Sequence, residues 1–307
     1  MHAWESIQKV LNYIEDNLSQ NLSPEALSMV AALSPFYFQR LFTRLVKRPV
    51  NEYIKMRRLA RACQTLEDKS KRVLDIALDC GFNSHAYFTK TFKSAFGITP
   101  EEYRNHPVRL NQIIKPDLSL GYTLIDENVP LITEGIVLEI SRKTVAVPEL
   151  YIGFSAPVSI SEQIPFGETT GIDNPGLLWD RFHKQKDEIK GLVPDGIKFA
   201  VSSFDHSEDG TFTYFAGASA MPGTTAYADY VTYQLPAAEY IVCSFEAEHF
   251  EALTTSALSK CMNYLFGTWL PKHHLSTQPF SAEKYVAASP DMCKMELWVI
   301  PVPMNWY

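Results

Sequence analysis

The chain repeats itself at a spacing of 50 residues: Ser34, Tyr37, Phe38, Arg40, Phe42, Glu52 and Tyr53 recur as Ser84, Tyr87, Phe88, Lys90, Phe92, Glu102 and Tyr103. Each copy sets a serine able to cap a helix ahead of apolar residues at helical spacing, and each follows a short helical segment that ends in a tight turn. The pattern is that of two helix-turn-helix units. One unit places one helix in one major groove, whereas two on a single chain can reach successive turns of a duplex without a second subunit.

Charge divides along the same line. Of the net −7, residues 1–106 contribute +4, with 15 Lys and Arg against 11 Asp and Glu, and the remaining residues contribute −11, with 13 against 24. Phosphate binding needs a local basic face rather than a high overall pI, so this points to a DNA-reading front and an acidic partner domain. Five cysteines in no CxxC pair suggest reduced thiols, and no apolar run approaches the ~20 residues of a membrane span. With no signal-peptide pattern after Met1, the expectation is a cytoplasmic protein without membrane contact.

The 307 residues suffice for about two domains. Ser23-Pro24-Glu25, Ser34-Pro35 and Thr99-Pro100-Glu101-Glu102 read as helix starts. Between the units, Val50 to Leu66 reads as a rigid connecting helix with an apolar face (Tyr53, Ile54, Leu59, Ala62, Cys63, Leu66) and a basic one (Lys55, Arg57, Arg58, Arg61). Residues 107–130, with Pro107, Pro116, Gly121 and Pro130, read as a linker. Beyond it, strand-like segments are broken by two helical ones, Leu177 to Ile189 and His249 to about Trp269. Strand, helix and two strands occur twice in that order, which predicts an α+β domain of two βαββ-type repeats over residues 131–307, with helices on one side of a mostly antiparallel sheet.

In the first unit Phe38, Leu41, Phe42 and Leu45 form the inward stripe, leaving Phe36, Gln39, Arg40, Thr43, Arg44 and Lys47 outward. Arg40 suits a guanine edge and Gln39 an adenine edge. In the second unit Phe88, Phe92 and Phe96 point inward and His85, Ala86, Thr89, Lys90 and Lys93 outward, a face expected to give more phosphate affinity and less base specificity. The bland alternative is a pair of solvated charged faces.

Residues 5–106 resemble the tandem helix-turn-helix domain of AraC/XylS-type bacterial transcription regulators. The resemblance rests on Asp75-Ile76-Ala77-Leu78, Cys80-Gly81-Phe82-Asn83-Ser84, Tyr87-Phe88, Phe92, Phe96-Gly97, Thr99-Pro100 and Tyr103-Arg104. It implies seven helices, with Phe36, Gln39 and Arg40 in one major groove and His85, Ala86, Thr89 and Lys90 in the next. Where the family has glycine at the turn and helix end of the first unit, this chain has Ala32 and Lys47, and a left-handed Lys47 would be strained by about 1 kcal/mol.

The C-terminal half resembles the GyrI-like effector-binding domain through Leu178-Trp179, Phe182, Glu239-Tyr240-Ile241 and Met295-Glu296-Leu297-Trp298-Val299-Ile300-Pro301. The resemblance implies that Glu296, the acid of the final strand, lies in an aromatic-lined cleft and pairs with a cationic, lipophilic ligand. Strand alternation puts Glu296 and Trp298 on one face, away from the helices, where ion pairing and cation–π attraction could hold an organic cation. Tyr151, Trp179, Tyr214 and Tyr285 are candidate wall residues, and a solvated Glu beside a rim Trp is the bland alternative.

The sequence contains no nucleotide-loop, zincin, nucleophile-elbow or paired-Cys metal pattern, so no catalytic residues, cofactor or metal are expected. The expectation is a transcription regulator, an activator, acting as a monomer on promoter DNA with RNA polymerase and a small-molecule effector as partners. Two alternatives stay open: a regulator whose second domain makes only protein contacts, and a GyrI-like hydrolase fused to a DNA reader.

Overall fold

The computed structural model describes residues 2–163, 167–204, 210–286 and 293–304. They divide into two units, one of residues 1–122 and 167–172, the other of 123–166 and 173–307.

Unit 1 opens with seven helices: α1 (Ala3–Asp16), α2 (Pro24–Val30), α3 (Pro35–Val46), α4 (Val50–Leu66), α5 (Val73–Asp79), α6 (His85–Phe96) and α7 (Pro100–Asn105). Their starts follow from caps. Ser23 Oγ accepts from Ala26 N at 3.1 Å, and Thr99 with Glu102 closes a reciprocal capping box. Two separate cores result. Ile7, Val10, Leu11, Ile14, Phe38, Phe42 and the start of α4 (Val50, Tyr53, Ile54) fill the first. The end of α4 (Leu59, Ala62, Cys63, Leu66) joins Ile76, Phe88, Phe92, Phe96 and Tyr103 in the second. One helix thus belongs to both lobes, because its buried stripe faces the first over its opening turns and the second over its last.

After α7 comes a two-residue strand, β1 (Leu110–Asn111), and a 3₁₀ turn, Leu118–Gly121, whose Leu118 enters the first core. Residues 107–122 of the expected linker are therefore part of unit 1. Within this stretch Ile113, Leu118 and Leu120 are buried.

Unit 2 begins with β2 (Leu131–Thr133), β3 (Ile136–Val145), β4 (Glu149–Ser159) and the single turn α8 (Ile160–Gln163). The chain then lends Gly167–Ile172 to unit 1, where β5 (Gly171–Ile172) pairs antiparallel with β1 and Gly167 O accepts from Ile114 N at 2.9 Å. It continues as α9 (Asn174–Gln185), β6 (Lys198–Ser203), β7 (Thr211–Ser219), β8 (Val231–Leu235) and β9 (Ala238–Ala247). A helical run follows: α10 (Phe250–Ala252), α11 (Leu258–Tyr264) and α12 (Leu270–Lys272), joined through π turns at Leu253–Ala257 and Leu265–Trp269. The last strands are β10 (Leu275–Thr277), β11 (Phe280–Val286), β12 (Cys293–Val299) and β13 (Pro301–Pro303). The sequence reads as a strand over Lys284–Ala288, of which Ala287 and Ala288 lie outside the described residues.

Nine strands form one antiparallel sheet in the order β2-β3-β9-β12-β11-β6-β7-β4-β8. The duplicated unit is visible as β4-α9-β6-β7 and β9-(α10 to α12)-β11-β12, with β6 and β11 joining the halves at the centre. Each half also holds the strand that precedes the other: β3 flanks β9, and β8 flanks β4. This exchange covers what would otherwise be an open edge on β4 and on β9.

Candidate nucleic-acid interface and effector site

The two reading helices are built alike. Ser34 Oγ accepts from Tyr37 N at 3.4 Å and Ser84 Oγ from Tyr87 N at 3.2 Å, so each helix starts at a fixed point. Phe38 and Phe42, and in the other lobe Phe88, Phe92 and Phe96, are buried beneath them. Phe36, Gln39, Arg40, Thr43 and Arg44 are exposed on α3, and Arg40 Cζ sits 5.4 Å from the Phe36 ring centre. On α6, His85, Ala86, Lys90 and Lys93 are exposed. Thr89 differs from the expectation. It is half-buried and, among the described residues, its enclosed hydroxyl oxygen has no hydrogen-bond partner, because it sits beside Phe88 on the flank of the apolar stripe. Two residues of the repeat not expected at the interface stand out instead: Tyr37 and Tyr87 are 65% and 53% exposed at equivalent places in the first turn.

Both helix ends adopt the left-handed conformation, Lys47 at φ 61° and Gly97 at φ 79°, and so do both turns, Ala32 at φ 55° and Gly81 at φ 84°. The first lobe keeps the geometry of the second without its glycines.

In unit 2 the six residues expected around one ligand divide between the two faces of the sheet. On the face away from the helices, Glu296 and Trp298 are buried, and the Glu296 carboxylate is fully engaged. Lys143 Nζ donates to its Oε1 at 2.7 Å, Ser244 Oγ to the same oxygen at 3.3 Å, and Trp298 Nε1 to Oε2 at 3.0 Å. Lys284 Nζ lies 3.8 Å from the Trp298 ring centre and donates to Glu149 Oε2 at 2.6 Å, and Glu149 also accepts from the Tyr151 hydroxyl. Burial pushes the Tyr151 hydroxyl far up, and its bond to the Glu149 carboxylate adds to the effect. The site expected to hold an incoming cation therefore already contains two lysines. Lys143 is 153 residues from Glu296 in sequence and reaches it only because β3 and β12 flank β9.

Trp179, Tyr214 and Tyr285 meet on the helix face, around an acid not expected there, Glu283. Tyr285 OH donates to Glu283 Oε2 at 3.0 Å and Tyr214 OH lies 3.4 Å from the same oxygen. Trp179 Nε1 donates to Tyr214 OH at 3.1 Å, and the Trp179 and Tyr285 rings meet edge to face at 5.0 Å. Glu283 is buried and, among the described residues, forms no ion pair with a cation. Burial raises its carboxyl to about 7; the two tyrosine bonds oppose this and nearby Asp173 adds to it. Trp179 and Tyr285 are half-exposed, and Phe250 beside Tyr285 is exposed, so aromatic surface leads from solvent to the acid. The signal for Glu283 was the string Glu283-Lys284-Tyr285, in which alternation puts acid and tyrosine on one face; that this face lies under α9 was not readable from it.

Paired helices with matched caps and exposed basic faces, joined by one helix, define a tandem helix-turn-helix DNA-binding protein. Residues 27–106 match the helix-turn-helix domain family and residues 158–302 the GyrI-like small molecule binding domain. The chain is 34% identical over 108 residues to the HTH-type transcriptional activator AarP of Providencia stuartii, covering 35% of this chain and 80% of AarP. It is 38% identical over 104 residues to the regulator YbfP of Bacillus subtilis (34% of this chain, 35% of YbfP), so the match spans about a third of that relative's length. An AraC-type regulator from Chromobacterium violaceum of known structure is 30% identical, with 34% of this chain and 96% of that one covered and a TM-score of 0.32. The chain belongs to the AraC/XylS family of DNA-binding transcription regulators and carries a GyrI-like domain. Among the described residues, no helix is long and apolar enough to cross a membrane.

Proposed function

We propose that this regulator is an activator that binds promoter DNA as a monomer and responds to a lipophilic organic cation held in unit 2. On DNA, Phe36, Gln39, Arg40, Thr43 and Arg44 read one major groove, and His85, Ala86, Lys90 and Lys93 engage the next, with RNA polymerase as the partner of the bound protein. The effector site centres on Glu283, with Trp179, Tyr214 and Tyr285 as its walls.

The observation that carries the effector reading is the uncompensated acid. A buried carboxylate without a cation is costly, and a ligand that brings the positive charge relieves that cost while its apolar groups cover Trp179 and Tyr285. Glu296 offers no such gain, since Lys143 already occupies it. The segment that leads into α9 supports regulation over a second domain that makes only protein contacts. The segment 167–172 packs in unit 1, where Glu168 O accepts from Arg48 just beyond α3 at 2.8 Å, and Asp173, the next residue, caps the helix that carries Trp179.

Calorimetry of the full chain with tetraphenylphosphonium tests the site. Glu283→Gln should weaken binding at least tenfold, about 1.4 kcal/mol, while Glu296→Gln stays close to wild type. Equal loss in both variants would remove Glu283 from its assigned role. Failure of wild type to bind any of a panel of lipophilic cations would favour a second domain that makes only protein contacts.

A further inference from the structure

The two lobes of unit 1 have separate cores, and α4 passes from one to the other across residues 55–58. A single helix sets the distance along its axis and, through the stripe each lobe packs on, the angle between the lobes, while side contacts decide how stiffly that angle is held. One such contact stands at the crossing. Arg58 Nε donates to Leu18 O at 2.8 Å and Arg58 Nη2 to Gln20 O at 2.6 Å, so the guanidinium holds the loop that follows α1 in the first lobe. Gly81, in the turn between α5 and α6 of the second lobe, lies on the same two groups. A Cβ there would be 2.6 Å from Leu18 O and 2.8 Å from Arg58 Cζ, closer than any side chain can sit.

Gly81 is at φ 84°, a conformation that favours glycine, and the close approach to Leu18 and Arg58 excludes a Cβ. Ala32, at the matching turn of the first lobe, shows that the turn itself tolerates a Cβ. The glycine in the second lobe is thus explained by what it touches. Beside the contact is a cavity of about 280 Å³, lined by Leu22, Ile54 and Lys55 on one side and Phe82, Asn83 and Tyr87 on the other. There the lobes do not fill the space between them, so on this side of α4 it is the Arg58 junction that joins them.

We infer that the contact of Arg58 and Gly81 with Leu18 fixes the twist between the two reading helices and so determines the one half-site spacing this protein accepts on DNA. Arg58 acts as a positioning residue. It holds α3 and α6 in register with grooves one helical turn apart, so the second lobe binds with the advantage of an already anchored partner. A loosened junction lets each lobe find its half-site separately and loses that advantage.

The test uses the full chain and a duplex selected by wild type from a randomised library, with derivatives in which one base pair is inserted between the half-sites or one half-site is scrambled. An inserted base pair shifts the second half-site by about 3.4 Å and rotates it by roughly a tenth of a turn. Wild type should lose about tenfold or more in affinity on insertion. Arg58→Ala and Gly81→Ala should bind the selected duplex about fivefold or more weakly, lose under about threefold on insertion, and match wild type on the scrambled duplexes. Arg58→Lys, which keeps the stem and charge but cannot bridge two carbonyls as a planar fork, should fall between, and it decides the matter if the alanine variants do not fold by circular dichroism. Variants that keep the full insertion penalty, a wild type without one, or an equal loss on every duplex, which would make Arg58 a phosphate contact, each overturn the inference.

Discussion

Lys143 Nζ lies 2.7 Å from Glu296 Oε1 across the width of β9, and the pair converts the acid of a closing strand from a binding group into part of the sheet. The glutamate side chain is buried while the lysine is 41% exposed, so solvent screens one partner only. Removing the lysine leaves the buried charge hydrogen-bonded by Ser244 and Trp298, with Lys284 over the Trp298 ring as the remaining nearby cation. Lys143→Met should cost about 1–3 kcal/mol, below the value for a fully enclosed pair. Lys143→Met combined with Glu296→Gln should recover much of the loss, because no charge then remains to be compensated. Urea denaturation of the full chain, followed by tryptophan emission, measures both, and a double variant no more stable than the single one would show that the pairing is incidental.

Glu283 makes stability depend on pH in the opposite sense to an ion-paired acid. Burial raises its carboxyl from the ordinary 4.5 to about 7, so the folded protein holds this proton more tightly than the unfolded chain. Its contribution is neutral below the ordinary value, and stability falls as pH rises from about 4.5 to about 7, then levels. The fall is on the order of 3 kcal/mol for such a shift. Glu283→Gln, which keeps the shape and cannot ionise, should flatten this part of the profile and be more stable than wild type at pH 8 but not at pH 4. Scanning calorimetry from pH 4 to 8 separates the two proteins. Parallel profiles would mean that the acid is solvated or paired.

The two reading helices should fail in different ways. Arg40 is exposed on α3 with Phe36 against its guanidinium, which limits its motion and suits it to a base edge. Arg40→Ala should cost about 1–3 kcal/mol on the selected duplex and relax preference at one base pair. Lys93, exposed in the last turn of α6, suits a phosphate. Lys93→Ala should weaken all duplexes alike and lower the salt slope by about 0.9. Binding curves at several salt concentrations, on the selected duplex and its single-base variants, distinguish the outcomes, and unaltered base preference in Arg40→Ala would take α3 out of the specific contact.

The all-α half was largely legible because its signals are local. Ser34, Ser84 and Thr99 mark helix starts within a few residues, and the apolar stripe of α4 gives Val50–Leu66 directly. The duplicated α+β order was legible for the same reason. What could not be read was the pairing of strands distant in sequence. Both faces of this sheet bury side chains, Phe154 and Tyr214 on one and Tyr151 and Trp298 on the other, so alternation within a strand does not reveal which face meets the helices. Tyr151 and Tyr214 accordingly read as equivalent wall residues although the sheet separates them. The loan of Gly167–Ile172 to unit 1 rests on two-residue pairing with no periodicity, and sequence carries no mark of it.

The helix ends of the two lobes allow a reciprocal exchange. Lys47 closes α3 at φ 61° and Gly97 closes α6 at φ 79°, the same left-handed cap with and without a side chain. Lys47 is exposed, and a Cβ added at Gly97 would meet nothing within 4 Å among the described residues, so packing contributes little at either position. The difference is therefore conformational: a left-handed L-residue costs roughly 1–2 kcal/mol, partly offset by the greater freedom that glycine adds to the unfolded chain. Lys47→Gly should stabilise the first lobe by about 0.5–1 kcal/mol, and Gly97→Ala should destabilise the second by a similar amount. Thermal denaturation of both variants and of the double exchange measures the effects, which should add, since the two caps belong to different cores. If Lys47→Gly instead lowered the melting temperature, the side chain of Lys47 would have to be making a contact that outweighs its backbone strain, and the left-handed cap would have to be a consequence of that contact rather than a tolerated departure from glycine.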